Sequence, residues 1–211
     1  MPLTLYTYFR SSASYRVRIA LALKGLPYES RFVHLLRGEQ RAAEYLALNP
    51  EGLVPTLVED GDVLTQSLAV IEYLEETHPT PALLPHAPRA RAFVRSVALA
   101  IACDIHPVCN PRVTAYLGYG DEAARRRWIR HWTEQGLAPL EQRLAAWPER
   151  GHCCHGDEPT LADICLIPQA FNARRWDCDL SGYPVINAIY EHCIALPAFR
   201  AAAPENQRDA A

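Results

Sequence analysis

Three serines in four positions, Ser11, Ser12 and Ser14, stand between a short apolar run, Leu3 to Tyr8, and a periodic stretch carrying Val17, Ala20, Leu21 and Leu23. The apolar run reads as a strand and the periodic stretch as a helix. Hydroxyls and backbone N–H groups without helical partners then meet at one helix N-terminus, where the helix dipole favours negative charge. Such a corner can hold an anion, or it can simply cap the helix. A second group, His152-Cys153-Cys154-His155, gathers metal-ligating types. Structural zinc sites usually place two to four residues between paired ligands and need a second pair elsewhere, so the spacing argues against a metal. The seven cysteines, 103, 109, 153, 154, 165, 178 and 193, all lie beyond residue 100. They read as small buried hydrophobes of a reducing compartment, not as a disulfide frame.

The elements that must carry these groups follow in order. A strand over Leu3 to Tyr8, a helix ending at Lys24-Gly25 and a strand over Tyr28 to Leu35 form a right-handed parallel crossover. A short polar helix spans Arg37 to Leu48. In Leu53-Val54-Pro55-Thr56-Leu57-Val58-Glu59, proline fits the start of a strand or a cis-proline turn. Asp60-Gly61 marks a hairpin, with Val63 and Leu64 returning. Gln66-Ser67 opens a helix with Ser67 as its N-cap and Val70, Ile71 and Leu74 facing inward. The first unit is therefore βαβ, then a helix, then ββα: a mixed four-stranded sheet with helices on both faces.

Proline-rich sequence follows, and everything beyond it is helical. Residues 1–80 form the α/β unit, 81–88 a linker and 89–211 an all-helical bundle. Long helices cover Arg89 to about Cys109, perturbed at His106-Pro107, and Asp121 to about Trp147. Thr160-Leu161-Ala162-Asp163 is a capping box with Asp in place of Glu, ahead of a buried helix. Another helix covers Val185 to Leu196, and the chain frays beyond Pro204.

Composition narrows the function. With 211 residues, 49% of them hydrophobic, and a net charge of −3, the chain can build a sizeable core. It has no clustered basic run, so a nucleic-acid partner is not expected. No signal peptide and no uninterrupted membrane span is read, which places the protein in the cytoplasm.

Taken together, the serine turn, the Val54-Pro55 step, Gln66-Ser67 and the Thr160-to-Asp163 box resemble the glutathione transferase superfamily with its thioredoxin-like first domain. Ser11-Ser12-Ala13-Ser14-Tyr15-Arg16-Val17-Arg18-Ile19-Ala20-Leu21 is similar to the signature of the zeta class. Asn49-Pro50, Gln66 through Glu76 and Pro79-Thr80-Pro81 also look like that class. The resemblance implies a homodimer that uses glutathione to isomerise a maleyl-type diacid, maleylacetoacetate or maleylpyruvate, from cis to trans. The thiolate adds to the double bond, the bond rotates and the thiolate leaves. A general glutathione transferase or dehalogenase, and a non-catalytic binding module of the same fold, are the alternatives.

By the resemblance, Ser11 bonds the glutathione sulfur with Ser12 beside it. Val54, before Pro55, offers its backbone to the cysteinyl part. Gln66 and Ser67 hold the γ-glutamyl carboxylate, Gln40 reaches the glycine carboxylate, and Asp104 meets the γ-glutamyl amine from the other subunit. His106 and Asn110 contact glutathione or substrate. Arg10, Arg112 and Arg175 take the substrate carboxylates and the enolate charge. Spacing does not decide between Arg174 and Arg175; the resemblance favours Arg175. Ala13 stands where the class usually has cysteine.

Overall fold

In Leu3-Thr4-Leu5-Tyr6-Thr7 every second residue is buried, and this alternation is strand β1 (Leu3–Thr7). The computed structural model describes residues 3–118 and 121–210. It divides into one unit of Met1–Leu83 with Leu196–Ala211 and another of Leu84–Ala195.

In the first unit β1 leads through α1 (Ser12–Leu23) to β2 (Tyr28–Phe32), which pairs parallel to β1 with Leu3 opposite Tyr28. The second strand stops at Phe32 because the chain then turns through two 3-10 segments, Leu35–Arg37 and Glu39–Arg41. Only Ala43–Leu48, α2, is α-helical, so the helix expected from Arg37 starts late; Gly38, with a left-handed φ of 76°, separates the two turns. Strands β3 (Thr56–Glu59) and β4 (Asp62–Thr65) form the expected hairpin. Its turn residues Asp60 and Gly61 both have positive φ. The sheet order is β2-β1-β3-β4. Helix α3 (Ser67–Thr77) completes this part. Leu5, Val17, Leu21, Leu57, Val70, Ile71 and Leu74 are its core. Tyr6 packs on Tyr45 of α2 at 5.8 Å, while the next residue, Thr7, is bonded by Arg18 of α1, so helices cover both faces.

Two expectations are corrected here. Ser67 is the first residue of α3, and Gln66 is its N-cap. The chain beyond Pro204 is not frayed. Helix α9 (Pro197–Ala202) and two 3-10 turns, Pro204–Asn206 and Arg208–Ala210, belong to the first unit, not to the helical one. The Tyr15 hydroxyl donates to Phe199 O, and the Arg18 Nε donates to Ala202 O at 2.9 Å. Buried polar contacts of this kind hold a segment that has little apolar pattern of its own.

The second unit holds α4 (Pro88–Leu99), α5 (Pro111–Tyr116), α6 (Glu122–Ala146), α7 (Leu161–Arg175) and α8 (Pro184–Ile194). Helix α7 is buried from Leu161 through Ala170, as befits a helix apolar on all sides. Its start is the capping box: Asp163 Oδ2 accepts from the Thr160 N–H at 2.8 Å, and Thr160 Oγ1 accepts from the Ala162 N–H. The long helix expected to Cys109 breaks after Leu99 into a π-helical segment, Ala100–Ile105, and a 3-10 turn, Pro107–Cys109. The Ile105 side chain of this segment packs over Gly136 of α6, where an added Cβ would meet Ile105 Cγ1 at 2.3 Å. The stretch Pro88–Tyr116 also departs from the reading that no run suits a membrane: by length and composition it could cross one, with a window of mean hydropathy 1.5. Val94, Val97, Ala98, Ile101 and Ile105 within it are core residues of the helical unit.

Candidate functional site

The N-terminus of α1 is built around Ser11. Its backbone is extended, its N–H donates to Tyr8 O at 3.0 Å, and its Oγ accepts from the Ser14 N–H at 3.1 Å. A hydroxyl that accepts there keeps its own proton to give away. Ser12 and Ala13 are half-buried beside it, and no acidic residue sits in the first turn. Arg10 is exposed, with its guanidinium 4.8 Å from the Phe9 ring centre.

Two residues brace this turn. The buried Arg18 guanidinium donates to Thr7 Oγ1, Tyr8 O and Phe9 O as well as to Ala202 O. Burial pulls its pKa down to about 10, against the attraction of Tyr28 and Asp209, which leaves it charged at neutral pH. Asp209 Oδ2 accepts the Phe9 N–H at 2.9 Å.

The loop from α2 to β3 carries the next residues. The Asn49 Nδ2 donates to Leu53 O and Thr56 Oγ1, and its Oδ1 accepts from the Glu51 N–H. The Tyr45 hydroxyl joins the same two oxygens. The Val54-Pro55 bond is cis, and Val54 lies just before the ladder that starts at Thr56 opposite Tyr6. Gly52 is left-handed at φ 61°, and a side chain there would press on Gln40 O at 3.1 Å, so Gln40 lies against this loop.

The N-terminus of α3 is the second donor corner. Gln66 holds a φ of 67°, a conformation costing a residue with a side chain roughly 1–3 kcal/mol. Its Nε2 donates to Glu51 Oε2 at 2.9 Å. Ser67 Oγ accepts from Nη1 of the buried Arg16 at 3.3 Å. Ser11, Ser12, Gln40, Val54, Pro55, Gln66 and Ser67 thus lie in one unit, with Arg10 beside them.

The other residues singled out by the sequence lie in the helical unit. Asp104 is exposed on the π-helical segment, and the half-buried His106 follows it. The Trp128 Nε1 donates to Val108 O at 2.8 Å and pins the stretch after it. Asn110 is the N-cap of α5, its Oδ1 accepting from the N–H of the exposed Arg112. Arg174 lies 3.8 Å from the Tyr190 ring centre and donates to Asn187 and Glu191 of α8. Arg175 is exposed.

Cys153, Asp163 and Cys193 bring two sulfurs and a carboxylate within 4.8 Å of one another. Both Asp163 oxygens already serve the capping box and the Cys154 N–H. Burial raises the Asp163 pKa against those bonds. The cluster is the buried start of α7 more than an open coordination sphere.

Local pattern did not reveal Arg16, Arg18, Glu51 or Asp209. Arg16 and Arg18 look like the polar face of a helix, and only the depth of α1 shows them inside.

Known proteins share this arrangement. The family model for the glutathione S-transferase N-terminal domain matches residues 10–77. A maleylacetoacetate isomerase of Rhizobium meliloti (strain 1021) is 53% identical over 207 residues, 97% of each chain. A maleylpyruvate isomerase of Ralstonia sp is 49% identical, over 98% of this chain and 99% of that one. Among solved structures, a holo maleyl pyruvate isomerase, described as a bacterial zeta-class glutathione-S-transferase, superposes with a TM-score of 0.97 at 48% identity, over 99% of this chain and 100% of that one.

Proposed function

The chain belongs to the zeta class of the glutathione transferase family, and on that premise we propose that it isomerises a maleyl-type diacid from cis to trans with glutathione, maleylacetoacetate first and maleylpyruvate second. The observation that carries this reading is Ser11: a hydroxyl at a helix N-terminus that accepts from the Ser14 N–H and still has its own proton to donate.

The residues fit glutathione. Ser67 and Gln66 form a polar corner at the N-terminus of α3, and Val54 stands outside the ladder. Glutathione supplies a sulfur nucleophile that adds reversibly to an activated double bond and leaves again. A free thiol of this kind ionises near 8.5, so the protein must favour the anion. Ser11 does so by donating a hydrogen bond, and the first turn of α1 does so through its dipole. Neither carries a net charge that would compete for the substrate carboxylates. Arg10, Arg112 and Arg175 are the residues we assign to those carboxylates and to the charge that develops on the substrate oxygen. Asp104, His106 and Asn110 are assigned to glutathione or substrate contacts. Ala13 leaves no second thiol next to Ser11.

A homodimer is part of this proposal. Leu99 is 48% exposed in a stretch whose apolar window is only 28% buried, which suits a face covered by a second copy. The seven free cysteines suit a reducing cytoplasm.

Mixing the protein with glutathione and each substrate, and following the enol absorbance, tests the reading. Isomer formed only when glutathione is present supports it. No turnover of either diacid sinks it, and a stable thioether or released halide from small electrophilic acids would put a general transferase in its place.

A further inference from the structure

Two copies of one dipeptide face each other in the helical unit. His152-Cys153 lies in the loop between α6 and α7, and His192-Cys193 lies in the last turn of α8. The imidazoles stack on the outer side, with ring centres 5.1 Å apart and planes 20° from parallel. The sulfurs meet on the inner side, within 4.8 Å of each other and fully buried. Contact between both pairs of neighbours fixes how the loop lies on the helix and sets the two thiols side by side.

The loop is held by its own short-range bonds. The His152 N–H donates to Asp157 Oδ1 at 2.9 Å, the Cys153 N–H to Gly156 O at 3.0 Å, and the Cys153 thiol to Asp157 O at 3.4 Å. The Asp163 carboxylate lies within the same 4.8 Å of both sulfurs. A hydrogen bond with Cys153, burial and the Asp163 carboxylate push the Cys193 thiol pKa up, so this thiol stays protonated. A thiolate here would set a second negative charge beside Asp163 in the interior. A disulfide carries neither charge nor proton and escapes that penalty. Neither thiol has a part in the reaction assigned to Ser11.

We propose that Cys153 and Cys193 are a peroxide-responsive dithiol pair, closing to a disulfide that staples the loop before α7 to the end of α8. Hydrogen peroxide is the oxidant. Local opening of the loop brings the Cys153 thiol to water, where it loses its proton. The thiolate attacks one peroxide oxygen and becomes a sulfenic acid, and the O–O bond breaks. The hydroxide that leaves takes up a proton as the first water. When the loop recloses, the Cys193 sulfur attacks the sulfenic sulfur and the S–O bond breaks. The departing oxygen takes the Cys193 proton and leaves as the second water. Two thiols and one peroxide thus give one disulfide and two waters. Cys153 reacts first because it lies in the loop, and Cys193 resolves because α8 holds it in place. The closed ring takes in all of α7 and most of α8, so it restricts the unfolded chain strongly.

The test treats the reduced full chain, carrying Cys103→Ala to remove the exposed thiol, with hydrogen peroxide. Remaining thiols are alkylated in denaturant, and the peptides are mapped by mass without reduction. The expected product is a Cys153–Cys193 cross-link that dithiothreitol reopens, with a thermal midpoint roughly 5 °C or more above that of the reduced protein. Cys153→Ala is expected to abolish both the cross-link and the peroxide-dependent rise. Cys193→Ala is expected to leave Cys153 as a sulfenic acid that dimedone traps; should this helix variant not fold, the loop variant Cys153→Ala carries the control. Asp157→Ala removes the carboxylate that holds the His152 N–H and is expected to speed cross-linking. Peroxide that leaves Cys153 and Cys193 as thiols, or links Cys154 or Cys165 in their place, overturns the proposal. A cross-link with an unchanged midpoint overturns the staple. No diacid or glutathione enters the measurement, so its outcome is independent of the isomerase reading.

Discussion

Asp209 accepts the backbone N–H of Phe9 at 2.9 Å across 200 positions of sequence. Phe9 is two residues before Ser11, and its carbonyl is held from the other side by Arg18. The turn that presents the Ser11 hydroxyl is thus clamped between a helix and the C-terminal segment. Removing the clamp should loosen the hydroxyl without touching it. Asp209→Ala is expected to lower kcat/KM with glutathione about tenfold, the effect of one lost hydrogen bond, and to raise the apparent pKa of the rate profile. Asp209→Asn keeps an acceptor oxygen and should recover most of the rate. An unchanged pH profile in Asp209→Ala would restrict the residue to stability.

Ser11→Ala separates capping from chemistry. Loss of the N-cap costs about 1 kcal/mol, read as a lower thermal midpoint. Loss of a donor to a developing or bound anion costs on the order of a hundredfold or more in kcat. Ser11→Gly restores much of the cap and none of the donor. A variant that regains stability but not rate confirms the second role.

Arg174 and Arg175 should divide cleanly. Arg174 is engaged with Tyr190, Asn187 and Glu191, so Arg174→Ala is expected to lower the urea midpoint and leave KM for the diacid near its starting value. Arg175 is exposed, with its guanidinium 5.3 Å from the Trp176 ring centre, and Arg175→Ala should cost less stability than Arg174→Ala while lowering kcat/KM by roughly tenfold or more through a lost carboxylate contact. The reverse pattern would move the substrate role to Arg174.

Gly136→Ala places a methyl group where Ile105 Cγ1 stands, at 2.3 Å. Overpacking of this kind costs about 1–3 kcal/mol. Ile105→Ala in the same chain makes room for the methyl group, so the double variant should lose less stability than the two single losses added together. Additive losses in equilibrium unfolding would show that the Ile105 side chain does not limit the space at Gly136.

Burial raises the Cys178 thiol to about 11, with Glu134 adding to the effect. The folded chain then keeps a proton that the unfolded chain releases near 9, so the folded state binds more protons between these values. This contribution to stability is complete below pH 9 and is lost as pH rises towards 11. Urea midpoints should fall over that window, and less steeply in Cys178→Ala. Alkylation at pH 8 should reach the exposed Cys103 well before Cys178.

The serine turn, the β3–β4 hairpin and the capping box were legible because each is a local arrangement with its own chemistry. Asp60-Gly61 needs positive φ, and Asp163 needs a free N–H three residues back. The Ser67 cap was misread by one position because no local rule places a glutamine in the left-handed region; its contact with Glu51 accounts for it. Arg18 and Asp209 carried no signal, since both act on backbone groups far from themselves in sequence. The π-helical segment carries buried Ile101 and Ile105 in line with the apolar residues of the helix before it, and that pattern reads as one continuous helix.

The placement of Leu196–Ala211 with the first unit has a consequence for synthesis. Translation adds about 5–20 residues per second, so the N-terminal sheet leaves the ribosome on the order of ten seconds before α9 and Asp209 do. During that interval Arg18 has no Ala202 carbonyl to bond and Phe9 has no carboxylate at its N–H. The nascent first unit can pair its strands early, but the turn bearing Ser11 takes its final form only when Ala202 and Asp209 have been added.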